Sequence, residues 1–443
     1  MGSAREGLLT DLYEFAMARS YRVEGMGERA VFELFIRAHP GRNFLVAAGL
    51  EQALDYLENL RFDDGDLAFL RKQAFGTPDF IDWLRDFRFA GDVDALPEAT
   101  VFFANEPVLR VAAPLPQAQL VETRLLNLVH FQTLIASKAV RCVLAARGRS
   151  VIDYGLRRAH GAEAGVLAAR ASWIAGFAGT ATVEAGRAFG LPLYGTMAHS
   201  FVQAHGDETA AFLAFARANP GNAILLIDTY DTVSAARKVV AVARTLAAEG
   251  IAVRAVRIDS GDLDALARTV RGVLDDGGLR EARIIASGGL DEDSIDALVR
   301  AGAPLDAFGV GSALACASDR PVLDCAYKLQ SYAGAARRKR STGKATWPGV
   351  KQVFRRTVDG KYAGDTVALA DEPIEGKPLL VPVMRAGRRI APPEPLDAIR
   401  ARLRSELDAL PDPLKALGSA PPYPVEISPA IRALAAQLDA ASR

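Results

Sequence analysis

The chain has 443 residues, half of them hydrophobic, and its 53 basic and 53 acidic side chains leave no formal net charge. That length supports a large core and more than one domain, and the balanced charge gives no general attraction to nucleic acid or an anionic membrane. Three cysteines, Cys142, Cys316 and Cys325, are too few and too scattered for a disulfide framework or a paired zinc site.

Met1 to Tyr13 carries Arg5, Glu6 and Asp11 and lacks the apolar run of a signal peptide. A helix is expected over Asp11–Arg19, a strand over Ala30–Ile36 and an amphipathic helix over Leu50–Leu60. Short extended pieces follow, broken by Pro97, Pro107, Pro114 and Pro116. Residues 1–116 therefore read as an α+β domain. A long helix, Gln119–Ala146, comes next. Its apolar part, Leu125–Ser137, contains Asn127, His130, Gln132 and Thr133, so it reads as a buried helix and not a membrane span. Cys142 lies in the same apolar pattern and reads as core packing rather than a catalytic thiol.

Residues 117–331 carry a series of strand-then-helix units. The strand candidates are Ser150–Tyr154, Leu191–Gly195, Ala223–Asp228, Ala252–Asp259, Ala282–Ser287 and Leu305–Val310. Each is short and apolar, as suits strands buried on both faces. Helical stretches such as Thr232–Glu249 and Leu263–Asp275 separate them, with Gly250, Gly277, Gly278 and Gly302 as stop signals. Every candidate strand runs into polar or glycine-rich residues. A parallel α/β barrel gathers such ends on one rim, and an open doubly wound sheet is the rival arrangement. The absence of a clear crossover favours the barrel. Residues 332–443 hold the basic run Arg337–Arg340, a β-rich piece at Lys344–Phe354 and a helix at Leu396–Leu410. This region is expected to pack on the N-terminal domain.

The rim residues suit a phosphorylated, Mg²⁺-bound substrate. Arg157, Arg158 and Arg257 can grip carboxylate or phosphate bidentately. The turn Gly309–Ser312, with Gly311 inside it, can aim backbone N–H groups at an anion. Asp228, Asp231, Asp259 and Asp262 can hold Mg²⁺ directly or through water, with Asp259 and Asp262 the metal candidates. Each has a plainer reading: an N-cap for the aspartates, a tight turn for the glycines, a surface ion pair for Arg158. His199 follows a candidate strand in Gly195-Thr196-Met197-Ala198-His199-Ser200, where small residues let a ligand come close. Its imidazole is a candidate nucleophile, with a satisfied core histidine as the alternative. His130 and His160 lie in less open contexts, and His205 has no partners at metal spacing. The run Ala223 to Thr232 superficially resembles a known phosphoribosyl-binding loop. It lacks the paired acids and the Thr-rich, Gly-containing stretch that such a loop needs.

With these residues in place, the chain resembles the nicotinate phosphoribosyltransferase family over nearly its whole length. The similar motifs are Leu9–Glu14, Phe32–Arg37, Gly155–Gly161, Gly195–Ser200, Asp228–Thr232, Arg257–Asp262, Phe308–Gly311 and Lys344–Val353, all in family order. The resemblance implies an irregular parallel α/β barrel beside an N-terminal α+β domain, in a head-to-tail homodimer with shared active sites. It implies a cytoplasmic enzyme that joins nicotinate to phosphoribosyl pyrophosphate, with Mg²⁺ and with ATP as cosubstrate, and with neither nucleic acid nor membrane as partner. It assigns transient phosphorylation to His199, nicotinate contacts to Tyr13, Thr196 and Arg257, and the phosphoribosyl group to Ser312. Arg157, Arg158, Ser200, Gly288, Gly309 and Gly311 complete the expected binding set, with His199, Arg257 and Asp259 as its catalytic members. Four departures stand out: Gly289 where the family commonly has Asp, Ala181-Thr182 in place of Ser-Asn, His130 in place of Asn, and Ser312 in place of Thr. They keep two alternatives open: transfer to a different pyridine or azine acid, and a homologue that binds ligand without turnover.

Overall fold

The computed structural model describes residues 6–37 and 41–441, so Met1–Arg5 of the N-terminal reading lies outside the described residues. The chain forms two compact units, residues 1–137 with 322–443, and residues 138–321. The first break falls inside the helix Glu122–Ala146. The second precedes the strand Cys325–Tyr332, which pairs antiparallel with Arg29–Ile36 along its whole length.

The first unit is built on a seven-stranded sheet. Arg29–Ile36 lies between Cys325–Tyr332 and Pro107–Pro114, and Asp92–Ala95 and Val381–Arg385 extend the sheet beyond the latter. Most of Arg29–Ile36 is buried, including Glu33. That carboxylate is compensated by Lys351, whose Nζ lies 2.8 Å from Glu33 Oε2. A four-stranded sheet contains Lys351–Val358 and Lys361–Leu369. Its buried Arg355 meets Asp365 at 2.6 Å. A buried charge is tolerated only when paired in this way.

Helix Glu122–Ala146 has the length and mean hydropathy, 1.3, of a membrane span, but 72% of its most apolar window is buried inside the protein. It is a core helix, as its polar members Gln132 and Thr133, both fully buried, anticipate. His130 on this helix accepts a hydrogen bond at Nε2 from Leu323 N at 2.9 Å. Burial holds its imidazole below the usual range, which keeps that acceptor nitrogen unprotonated. Cys142 is fully buried, and burial pushes its thiol far above the ordinary range, so it packs and does not react.

The second unit is a mixed α/β fold around a curled, half-barrel parallel sheet. Its six strands run in the order Gly179–Thr180, Ser150–Asp153, Ala307–Val310, Arg283–Ala286, Ala255–Ile258, Ile224–Leu226. Neighbours follow chain order, with the last strand returning to the first, as in a cylinder cut once, and every pair is parallel. One expected strand fails. Leu191–Gly195 makes only an isolated bridge, Leu193 to Thr180. Pro192 has no N–H to give, so the contact stops at Thr180 N to Pro192 O and Tyr194 N to Thr180 O. The strand beside Ser150–Asp153 is instead Gly179–Thr180, only two residues long, which periodicity could not reveal.

Glu14, in the first unit, has an acid–base consequence. Burial, followed by the charge of Glu122, pushes its carboxyl up to about 7 from an ordinary 4.5, against hydrogen bonds that pull it down. The folded state therefore holds a proton that the unfolded chain has released. The stability from this site is fully present below pH 4.5 and is lost as pH rises through about 7. Thermal unfolding of the parent and Glu14→Gln across pH 5 to about 8 is expected to favour the variant progressively as pH rises. Parallel curves would show that Glu14 is ionised throughout.

Candidate functional site

The second unit's sheet encloses an apolar floor of Ile152, Ala255, Ile285 and Ala307, against which Tyr154 and Ile224 pack. Side chains along a strand alternate faces with a period of two. Two residues beyond each floor position, the same face therefore carries Tyr154, Arg257, Ser287 and Gly309. One more step from Arg257 brings Asp259. The chain thus passes from apolar floor to polar rim within a single pleat, and the rim chemistry sits at the carboxyl ends.

Several of these groups are joined directly. Arg257 donates from Nη2 to the Met197 carbonyl at 3.1 Å. Its buried Nε has no hydrogen-bond partner among the described residues. Burial pushes the Tyr154 hydroxyl up, and the charge of the Arg257 guanidinium pulls it back. Ser287 donates to Asp259 Oδ1 at 2.5 Å. Asp228 Oδ2 accepts from Asp259 N at 2.9 Å and from Ser260 Oγ at 2.6 Å. The other Asp228 oxygen is buried without a partner among the described residues. His199 Nδ1 lies 3.2 Å from Thr229 Oγ1, leaving Nε2 as the ring nitrogen with no hydrogen bond among the described residues. Asp153 is buried and ties two strand ends together, accepting from Gly155 N at 2.7 Å and Thr180 Oγ1 at 2.6 Å. Burial raises its carboxyl above the ordinary range. Tyr154, Asp153, Thr180, Thr229, Ser260 and Ser287 were missed by residue-type reasoning. Only the two-residue step from the apolar strand centres could have pointed to Tyr154 and Ser287.

Other expected residues share the rim without joining that network. Arg157 and Arg158 lie exposed in the turn Leu156–Arg158, and neither guanidinium has an ion pair among the described residues. The surface ion pair considered for Arg158 is thus absent there. Ser200 is exposed, in the first turn of the short helix His199–His205. Ser312 is exposed at the start of a helix only four residues long, Ser312–Ala315. Thr196 is half-buried, and its hydroxyl meets the Met197 carbonyl at 3.3 Å. Two aspartates take the plainer role. Asp231 caps Thr232–Ala248 by accepting from Ser234 N at 2.7 Å, and Asp262 caps Leu263–Asp276 by accepting from Ala265 N at 3.1 Å. No group of three or more His, Cys, Asp or Glu among the described residues could cage a metal. Asp228 and Asp259 remain as a carboxylate pair suited to a hydrated ion carried by phosphates.

Two glycines are fixed by close approach. A Cβ on Gly288, whose φ is +88°, would stand 1.8 Å from the Asp259 carbonyl oxygen. One on Gly309 would stand 2.4 Å from the Tyr154 ring. Gly289 has φ +69° but open space around it. Tyr13 belongs to the first unit, where it is 44% exposed on the helix Leu12–Val23. Burial, then Glu122 and Glu14, push its hydroxyl far above the ordinary range.

Three family models match the chain: the nicotinate phosphoribosyltransferase N-terminal domain at residues 8–130, the nicotinate phosphoribosyltransferase family at 150–344, and the C-terminal domain at 372–435. Nicotinate phosphoribosyltransferase pncB2 of Mycobacterium tuberculosis is 50% identical over 424 residues, covering 95% of this chain and 91% of that protein. The Bacillus subtilis nicotinate phosphoribosyltransferase is 40% identical over 378 residues, covering 83% and 77%. Among solved structures, human nicotinic acid phosphoribosyltransferase superposes with a TM-score of 0.87 at 30% identity, covering 97% of this chain and 99% of that one. Nicotinate-nucleotide pyrophosphorylase from Pyrococcus furiosus gives 0.73 at 26% identity, covering 91% and 96%.

Gly288→Ala is expected to lose much more thermal stability than Gly289→Ala. The second variant bears only the left-handed backbone cost of about 1–2 kcal/mol, while the first must also move the Asp259 carbonyl. Equal losses in thermal unfolding would mean that the close approach at Gly288 relaxes freely.

Proposed function

Since this chain belongs to the nicotinate phosphoribosyltransferase family, we propose that it joins nicotinate to the ribose phosphate of phosphoribosyl pyrophosphate, releasing nicotinate mononucleotide and pyrophosphate in NAD biosynthesis. The observation that carries this reading is Arg257. Its guanidinium stands above an apolar floor, is braced by the Met197 carbonyl, and keeps a buried N–H without a partner among the described residues. An aromatic acid fits that combination: apolar surface for the ring, a charged fork for the carboxylate.

Cleavage of the bond from ribose C1 to pyrophosphate builds positive character on the sugar and negative charge on the leaving group. Exposed Arg157 and Arg158 are free to neutralise the leaving phosphates, and the Gly309–Ser312 turn, with the Ser312 hydroxyl, offers donors to the ribose phosphate. Asp259 and Asp228 would hold Mg²⁺ through its water shell, and the ion, when bound, offsets pyrophosphate charge. In this reading Asp259 also faces the positive charge on the ribose. Asp262 spends its carboxylate on a helix cap, so the metal role falls to Asp259 with Asp228. Positioning of the pyridine nitrogen in line with C1 falls to Arg257 and Thr196.

His199 is proposed as the phosphorylated residue that couples ATP to the transfer. Thr229 holds Nδ1, which leaves Nε2 as the nucleophile. The resemblance further supports a cytoplasmic, head-to-tail homodimer with shared active sites, in which Tyr13 meets the pyridine ring from the partner subunit. The strand order supports an irregular, incomplete α/β barrel as the framework.

Arg257→Ala is expected to raise the KM for nicotinate at least about tenfold more than the KM for phosphoribosyl pyrophosphate, as loss of a charged hydrogen-bond pair predicts. Steady-state kinetics showing equal effects on both would remove the assignment. His199→Ala is expected to abolish stimulation by ATP while slow basal transfer persists. Unchanged ATP dependence in that variant would refute the phosphohistidine role.

A further inference from the structure

Asp153 is 1% exposed, and no cation pairs with it among the described residues. Its two oxygens face two donors. Oδ1 accepts from Gly155 N at 2.7 Å, and Oδ2 accepts from Thr180 Oγ1 at 2.6 Å. The Thr180 oxygen itself accepts from Thr182 N at 2.9 Å, which leaves its proton for Asp153. Burying a carboxylate costs more than burying a neutral amide. An asparagine, however, has one acceptor end and one donor end, and here both ends would meet donors. Strand pairing does not need the carboxylate. The backbone link between the two strand ends is already made by Ala181 N, which donates to the Asp153 carbonyl at 2.8 Å.

The carboxylate instead fixes the start of the next turn. Leu156–Arg158 follows directly on Gly155, whose carbonyl accepts from Arg158 N at 2.9 Å. Gly155 is seated so closely that a Cβ there would stand 2.7 Å from Ala315 Cβ and 3.2 Å from the Gly311 carbonyl oxygen. Just before it, Tyr154 N donates to the Val310 carbonyl at 2.8 Å. At the far end, Cys316 Sγ donates to the Arg158 carbonyl at 3.1 Å. The turn with the exposed Arg157 and Arg158 therefore rests on segment 310–316, which holds Ser312, and Asp153 ties that seat to Thr180 in the neighbouring strand.

We propose that Asp153 is a positioning residue for phosphoribosyl pyrophosphate: by holding Gly155 N and the Thr180 hydroxyl together, it keeps the Arg157–Arg158 turn seated against the Gly309–Ser312 turn. This rests on the reading that those two turns bind the phosphates. Asp153 is buried beneath them and acts only through their placement.

Steady-state kinetics on the full chain with saturating Mg²⁺ test it. Asp153→Asn is expected to raise the KM for phosphoribosyl pyrophosphate at least about fivefold more than the KM for nicotinate. Thr180→Val, which keeps the shape and removes the hydroxyl, shifts the same KM in the same direction. Thr180→Ser, which restores the donor, stays within about twofold of the parent. In the Asp153→Asn background, Thr180→Val adds little, since the pair acts as a unit. An unchanged KM for phosphoribosyl pyrophosphate in Asp153→Asn or, where that variant does not fold, in Thr180→Val overturns the inference. So does an equal change in both KM values, or a Thr180→Ser variant as impaired as Thr180→Val. Failure of both Asp153→Asn and Thr180→Val to fold would also overturn it, because the pair would then serve the fold and not the turn. The double variant Arg157→Ala with Arg158→Ala separates the two failures. If it leaves the KM for phosphoribosyl pyrophosphate unchanged, the reading of the arginine turn fails and the inference falls with it. If it raises that KM while the Asp153 and Thr180 variants do not, only the inference fails.

Discussion

The second unit depends on the two-residue alternation of its parallel strands. Because Ile152, Ala255, Ile285 and Ala307 face one interior, the residues two places further on must face it too. That pleat places Tyr154, Arg257, Ser287 and Gly309 over an apolar floor without any specialised loop. A shift of one residue in any strand would turn its rim group toward the helices and bring a core side chain into the site. The constraint that builds the hydrophobic interior and the one that aims the polar groups are the same.

Carboxylates then fix the strand ends against one another. Asp153 links the first strand to Thr180, Asp228 reaches across to the backbone of Asp259, and Asp259 receives Ser287. Hydrogen bonds to a charged partner in partly buried surroundings are stronger and shorter than neutral ones. They set the rim before any ligand arrives, as a transfer reaction with charge building at both ends of a breaking bond requires. Glycine is required at two of these junctions because the backbone or a ring comes too close for a side chain. Gly288 meets the Asp259 carbonyl and Gly309 meets the Tyr154 ring.

Much of this was legible in the sequence, for identifiable reasons. Five of the six expected strands are short apolar runs bounded by turn residues, and each recurs as a ladder strand with slightly tighter limits. Leu191–Gly195 failed because an apolar run with a proline cannot sustain pairing, and Gly179–Thr180 is too short to carry a period. The residues tied into the polar network, Arg257, Asp259, Asp228 and His199, were all recognised from their places after strands. Their partners were not, because Thr229, Ser260 and Ser287 are ordinary residues whose role exists only across chain separations. Asp231 and Asp262 show the opposite error: an acidic residue just before a helix is first a cap. The departure at His130 has a local explanation, since its ring serves the Leu323 amide within its own unit.

The account turns on Arg257 recognising the carboxylate of a pyridine acid during phosphoribosyl transfer. Pyrophosphate release by the purified protein, with phosphoribosyl pyrophosphate, Mg²⁺ and either nicotinate, nicotinamide or quinolinate, with and without ATP, tests that most directly. The expected result is ATP-stimulated release with nicotinate and release about 100-fold or more weaker with nicotinamide, since the amide leaves a half-buried guanidinium without its charge partner. Equal turnover of nicotinamide, preference for quinolinate, or no release with nicotinate under either condition would contradict it.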